Sequence, residues 1–261
     1  MNTGTVISKL AQEYPLSMAM SWDNPGLQVG RTNRPVEKVF VALDATEEVI
    51  QECVEWGAQL LVTHHPLLMS GVKSVSENNL SGRKALTLAE HGITHYAMHT
   101  NYDVTEMNRL AQDAMQMEQT EILEVTGVSE NGEAYGIGFT GELPEAVTAK
   151  ECCQMVKQAF NLENVRLFGN PEQNVLRIAV SAGSGKSMIM PALKAGVDIL
   201  ITGDIGHHDG LDALDQGLMI IDAGHYGIEH IFIGQMKEYL KKHFPELEVR
   251  AAEIRHPFLV L

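Results

Sequence analysis

The 261-residue chain predicts an α/β fold built from a repeated unit, on three observations. Aliphatic runs of strand length alternate with amphipathic runs of helix length across short links, as in parallel strand–helix–strand units. The order strand, turn, helix, glycine, strand occurs twice, and Gly57-Ala-Gln-Leu-Leu-Val-Thr63 aligns without a gap on Gly196-Val-Asp-Ile-Leu-Ile-Thr202. Histidines and carboxylates gather just past those strands, where loops leave a parallel sheet and ligands bind.

Taken in order, the chain opens with a helix that places Val6, Ile7, Leu10 and Ala11 on one face and ends before Pro15. "SWDNPGLQVG" reads as a turn around Asn24-Pro25-Gly26 leading into a short strand. "VEKVFVALDAT" is a strand, "EEVIQECVEWG" an amphipathic helix stopped at Gly57, and "AQLLVTHHP" a second buried strand. The second round is "LRIAVSAGSGKSMIMPALKAGVDILITGD", residues 176–204. A third element follows in each half, "GITHYAMHTNYD" and "GLMIIDAGHYGIE". With one gap, His99-x-x-x-Asp103 falls opposite His225-x-x-x-Glu229. Between the repeats come a strand, "YGIGFTGEL", and a helix opened by the capping box Thr148-x-x-Glu151. "HIFIGQMKEYLKKHF" is helical and "LEVRAAEI" a terminal strand. We assign residues 1–122 to a first repeat, to which 240–261 return, and 123–239 to a second.

Composition removes several function classes. The formal net charge of −15 disfavours a phosphate-backbone surface, so no DNA partner is expected. The N-terminus lacks a basic stretch followed by an apolar core, and no apolar run is long enough to span a bilayer. Cys53, Cys152 and Cys153 suit neither a disulfide framework nor a thiolate metal knot. They read as core filler in a reduced, cytoplasmic setting.

Metal ligation is the chemistry these residues favour. His64, His65, Asp103, His225 and Glu229 combine imidazole with carboxylate, a donor set that accepts Zn, Mn, Fe or Ni and is usual in catalytic sites. Five ligands exceed what one tetrahedral ion with an open position needs. They fit two divalent ions sharing a bridging carboxylate at about 3.5–4 Å. His99, Asp204 and His208 then orient ligands or move protons, with His99 and His208 as the candidate catalytic pair. "SAGSGKS" fails as a Walker loop, because Ser181 stands where the first glycine is needed; it is a tight strand-to-helix turn or a small anion seat. Lys73, Arg83, Lys84 and Lys186 are the cations within reach, each read as a solvated surface charge, and Ser184 has no His/Asp partners.

"SWDNPGLQVG", "THHPLL", "HTNYD", "TGDIGHHD" and "DAGHYGIEH", standing in this order, resemble the motifs of the NIF-three-like family, whose members are labelled GTP cyclohydrolase 1 type 2 homologues. The resemblance spans nearly the whole chain, and the length is that of the family's short form, without the inserted domain. It implies two intertwined α/β repeats with mixed sheets, assembled as a toroidal homohexamer. It also implies a dinuclear centre held by the same five residues, His64, His65, Asp103, His225 and Glu229. Tyr102 and Ile228 depart from the family's usual residues, which touches pocket shape rather than ligation. The implied activity is hydrolytic opening of the GTP imidazole ring, or of a related heterocycle, by metal-bound hydroxide with release of formate. The competing expectation is a non-catalytic metal-binding or regulatory scaffold, favoured by the acidic surface and the shortage of cations for a triphosphate.

Overall fold

A computed structural model describes residues 1–129 and 131–260. The elements run α1 (Thr3–Glu13), β1 (Gly26–Val29), β2 (Lys38–Ala42), α2 (Glu47–Trp56), β3 (Leu60–Thr63), α3 (Leu80–Glu90), β4 (Thr94–Ala97) and α4 (Thr100–Tyr102). A π-helical turn, Asp103–Met107, leads into α5 (Asn108–Met115), β5 (Glu121–Val128), β6 (Ala134–Thr148), α6 (Ala149–Ala159), β7 (Arg166–Phe168) and β8 (Asn174–Ser184). Then follow α7 (Ile189–Ala195), β9 (Ile199–Gly203), α8 (His207–Asp215), β10 (Met219–Asp222), α9 (His225–Glu229), α10 (Ile231–His243) and β11 (Glu248–Ala251). Two compact units result. One comprises Met1–Tyr102 and Phe232–Ile254; the other comprises Asp103–Ile231 and the segment from Arg255 onward. No helix among the described residues is long and apolar enough to cross a membrane.

The first unit holds a five-stranded sheet in the order β1-β4-β3-β2-β11, parallel except for β1. The second holds a six-stranded sheet, β5-β6-β8-β9-β10-β7, with a parallel centre β8-β9-β10 and antiparallel flanks. The fold is therefore mixed α/β with two mixed sheets. Strands β3 and β9 are central and buried along their whole length. In β9, Ile199 and Ile201 join one apolar cluster, with Cys152, Cys153 and Val156 of α6, while Leu200 joins the other, with Ala192 of α7 and Ala213 of α8. Period-two alternation thus feeds both faces of the sheet. Burial pushes the thiols of Cys53 and Cys152 up to about 12, consistent with packing rather than reactivity.

The repeat extends to single side chains. Gly57 and Gly196 both end their helices in the left-handed region, at φ 74° and 64°. Two residues on, Gln59 Oε1 accepts the backbone N–H groups of Glu37 and Lys38 at 2.9 Å each. Asp198 Oδ2 does the same for Leu176 and Arg177, at 2.8 and 2.9 Å. Both carboxamide and carboxylate satisfy donors where a strand enters its sheet. At the far ends, Met98 N–H bonds Thr63 O at 2.9 Å, and Ala223 N–H bonds Thr202 O at 2.7 Å. β1 and β7, outside the aligned segments, occupy matching antiparallel positions beside β4 and β10.

One buried relay fixes the corner after β3. The Thr63 hydroxyl donates to His65 O at 2.7 Å, which uses its only proton. His95 Nε2, 2.8 Å from the same hydroxyl, must therefore be the donor in that pair. Its ring is wholly buried in β4, and Nδ1 has no hydrogen-bond partner among the described residues. Burial lowers the His95 pKa to about 3, so the ring stays neutral.

In the unfolded chain His95 takes a proton near the ordinary imidazole value of 6.5, whereas folding holds it unprotonated down to about 3. Between those values the unfolded state binds more protons, so His95 contributes stability above pH 6.5 that is lost as pH falls. The share is at most about 1.4 kcal/mol per pH unit. Urea denaturation from pH 7 to pH 5, in chelator, should show a shallower loss for His95→Gln, whose amide can still donate to Thr63. Equal slopes for parent and variant would refute a neutral, buried His95.

Candidate metal centre

Each unit presents a set of imidazoles whose Nδ1 atoms point at an oxygen. In the first unit, His64 and His65 follow β3 and His99 follows β4. One ligand atom from each of these three lies within 4.8 Å of the others, a group that could hold a metal ion. Their ring centroids are 4.9 Å apart for His64–His65, 5.3 Å for His64–His99 and 5.6 Å for His65–His99. The wholly buried His64 places Nδ1 2.8 Å from Met98 O. A carbonyl only accepts, so Nδ1 carries the proton and Nε2 the lone pair. His65 Nδ1 stands 2.8 Å from Asp44 Oδ1, and His99 Nδ1 2.8 Å from Asp23 Oδ1. These carboxylates favour the same tautomer, the arrangement by which ligating histidines are oriented and made more basic.

Strand register accounts for the pairing. Ala42 of β2 lies opposite Thr63 of β3, so Asp44 and His65, each two residues further on, come out level. His65 N–H bonds Leu43 O at 2.9 Å and holds the two loops together. Asp23 arrives from the turn before β1. Burial alone would raise its carboxyl, but hydrogen bonds from His99 and from Thr100 N–H and Oγ1 outweigh this and hold it at about 2. Asp23 is thus a fixed anion under His99.

In the second unit, His225 and Glu229 lie one turn apart on α9, with Nε2 3.1 Å from Glu229 Oε2. His225 Nδ1 is 2.8 Å from Asp204 Oδ2. One imidazole therefore sits between two carboxylates, a donor set that would suit a divalent cation. Asp204 adopts a left-handed backbone, φ 57°, uncommon outside glycine and of the kind concentrated at functional sites. Asp103 opens the π-helical turn, a distortion also frequent at such sites. Burial keeps Glu229 almost out of solvent, at 3% exposure, an environment in which a carboxylate requires a cation or donors.

"SAGSGKS" has a different use from phosphate cradling. Gly183 has φ +73°, and a Cβ there would lie 2.4 Å from Glu229 Oε1; one on Gly185 would lie 2.0 Å from Thr202 Oγ1. The glycines let β8 press against the Glu229 carboxylate and the end of β9. Lys186 is 71% exposed, with Nζ 3.0 Å from Asp209 Oδ1. Arg83 pairs with Glu47 on the surface. His208 is exposed in the first turn of α8, its ring 5.2 Å from that of His207, and it joins no group of three metal-capable side chains among the described residues. Tyr102 and Ile228 are wholly buried, and Tyr102 donates to Gln235 Oε1 at 2.8 Å.

Asp23, Asp44, Thr63 and His95 complete the arrangement from outside the candidate ligands read in the sequence. Only Asp23 carried a signal, through its place in "SWDNP".

The chain is similar to known proteins along almost its whole length. The family model for Duf34/NIF3 (NGG1p interacting factor 3) matches residues 1–257. A GTP cyclohydrolase 1 type 2 homolog of Clostridium perfringens is 32% identical over 244 residues, covering 93% of this chain and 92% of that protein. One from Streptococcus pneumoniae is 35% identical over 243 residues, covering 90% of each. The crystal structure of a Staphylococcus aureus hypothetical protein covers 100% of this chain and 99% of its own at TM-score 0.90 and 29% identity. That of reduced HcgD from Methanocaldococcus jannaschii covers 96% and 97% at TM-score 0.82 and 27% identity. With its sequence matched almost end to end, the chain belongs to the Duf34/NIF3 family.

Proposed function

We propose that the protein binds two divalent metal ions through His64, His65, Asp103, His225 and Glu229 and uses them to hydrolyse a purine nucleotide or related heterocycle, with GTP the first substrate to test. The observation that carries the reading is the set of held Nδ1 atoms on His64, His65 and His225, which directs Nε2 outward as the ligating nitrogen. The names of the curated relatives support the substrate class. When bound, such ions supply Lewis acidity and lower the pKa of water towards neutrality.

The chain's own residues supply the rest. Asp44 and Asp204 keep the ligand rings of His65 and His225 from rotating. His99, with its Nδ1 proton held by Asp23, can take or return a proton at Nε2. Solvent-facing His208 is a weaker candidate for that task. The active assembly we propose is a homohexamer.

Elemental analysis of protein purified without chelator should approach two equivalents of metal per chain, falling towards one in Glu229→Gln with the circular dichroism spectrum retained. No bound metal of any kind would exclude the centre.

With metal restored, incubation with GTP should release formate. Asp103→Ala should lower turnover at least a hundredfold, because loss of one ligand misplaces the reacting water. Lys186→Ala should stay within about twofold, as expected for an exposed lysine paired with Asp209. Two ions retained with no heterocycle consumed would leave a metal-binding scaffold.

Light scattering should give six times the 28.7 kDa chain mass. A monomer at micromolar concentration would contradict the hexamer.

A further inference from the structure

Trp22 is 59% exposed, although tryptophan is normally among the more buried residue types. Its ring centroid lies 5.9 Å from that of His99, at an interplanar angle of 75°, which brings it beside the three-imidazole group of the first unit. The backbone carrying it is held on both sides. On one side, Met20 N–H donates to Thr100 Oγ1 at 2.9 Å, and Asp23 N–H to Met20 O at 3.0 Å. On the other, the Asp23 side chain is fully buried and takes hydrogen bonds from His99 Nδ1, Thr100 N–H and Thr100 Oγ1. Asn24 Nδ2 donates to Leu68 O, and Gln28 Nε2 to Asn24 O at 2.7 Å. Gln28 Oε1 accepts from Leu68 N–H at 3.1 Å, closing the link to the loop that follows the paired histidines.

An apolar ring of this size, offered to solvent from a fixed backbone, is a stacking surface whose ordering cost has been met by folding. We propose that Trp22 stacks on the planar purine ring of the substrate and sets it against His99. This rests on the function proposed above and specifies how the ring is recognised. Stacking suits an acidic protein of net charge −15, because it draws affinity from the uncharged base rather than from phosphate contacts. Trp56, the other tryptophan, is engaged by Lys38 and Arg250 at 5.4 and 4.6 Å from the ring, so it offers no second platform of this kind.

The test uses Trp56→Phe protein, in which Trp22 is the only tryptophan, titrated with guanosine, GTP and inorganic tripolyphosphate while metal content is assayed on the same samples. Guanosine and GTP should quench Trp22 fluorescence to saturation, and tripolyphosphate should not. By calorimetry, Trp22→Ala should bind guanosine roughly tenfold or more weakly, as expected for loss of one base–aromatic stack. Trp22→Phe should stay within about threefold, and metal content should be unchanged in both. Guanosine affinity unaltered in Trp22→Ala, quenching by tripolyphosphate alone, or no guanosine binding at millimolar concentration would overturn the proposal. A change in oligomer mass of Trp22→Ala at unaltered guanosine affinity would likewise overturn it and make Trp22 a subunit contact. Guanosine binding in samples devoid of metal would uphold Trp22 while removing the metal centre, so the two readings fail separately.

Discussion

Parallel register between neighbouring strands is the constraint on which the candidate site depends. A parallel pair brings loops of successive strands out at the same end of the sheet, level with one another. Because Ala42 sits opposite Thr63, Asp44 is delivered beside His65; because Thr63 sits opposite Ala97, the Met98 carbonyl is delivered beside His64. The second unit repeats the device with Thr202 opposite Asp222, and Asp204 reaches His225. A one-residue slip of β3 would turn every one of its side chains to the other face and separate each imidazole from its oxygen.

The interior is arranged to protect that register. β2, β3 and β4 are buried almost throughout, and burying each Val, Leu or Ile contributes roughly 1.5–3 kcal/mol against exposure. Within this apolar setting the polar groups His95 and Thr63 persist at the end of β3. They spend a buried imidazole on holding one carbonyl, that of His65. Aromatic rings close the other side of His64: Tyr102 at 6.1 Å and Phe232 at 5.4 Å between centroids. Glycine does similar service in the second unit, where Gly183 gives Glu229 the room a Cβ would take.

Much of this was legible from the residues. Gly57 and Gly196 marked the repeat because a left-handed helix stop followed by an aliphatic run has a local signature, and His64-His65 stood out because two imidazoles ended such a run. The capping box at Thr148 and Glu151 is formed as read. The orienting partners were not legible. Asp23 is 76 residues from His99 and Asp44 is 21 from His65, separations that only strand pairing makes short. His95 read as one polar residue in an apolar strand, with nothing to show that its proton is used by Thr63. The short edge strand β7, three residues long, and β5, with four of its eight residues exposed, lack the continuous apolar runs that announced the central strands. In "SAGSGKS" the small residues were plain, but their purpose came from the Glu229 carboxylate lying 46 residues later in the chain.

The first unit fixes the proton positions of its histidines before any ligand arrives. Long-range nitrogen–proton correlation spectra of metal-free protein at pH 8 test it directly, since each imidazole tautomer has its own pattern of nitrogen shifts. His64, His65 and His99 should be protonated at Nδ1, and His95 at Nε2. Nε2-protonated or rapidly averaging rings at His64, His65 and His99 would contradict the account.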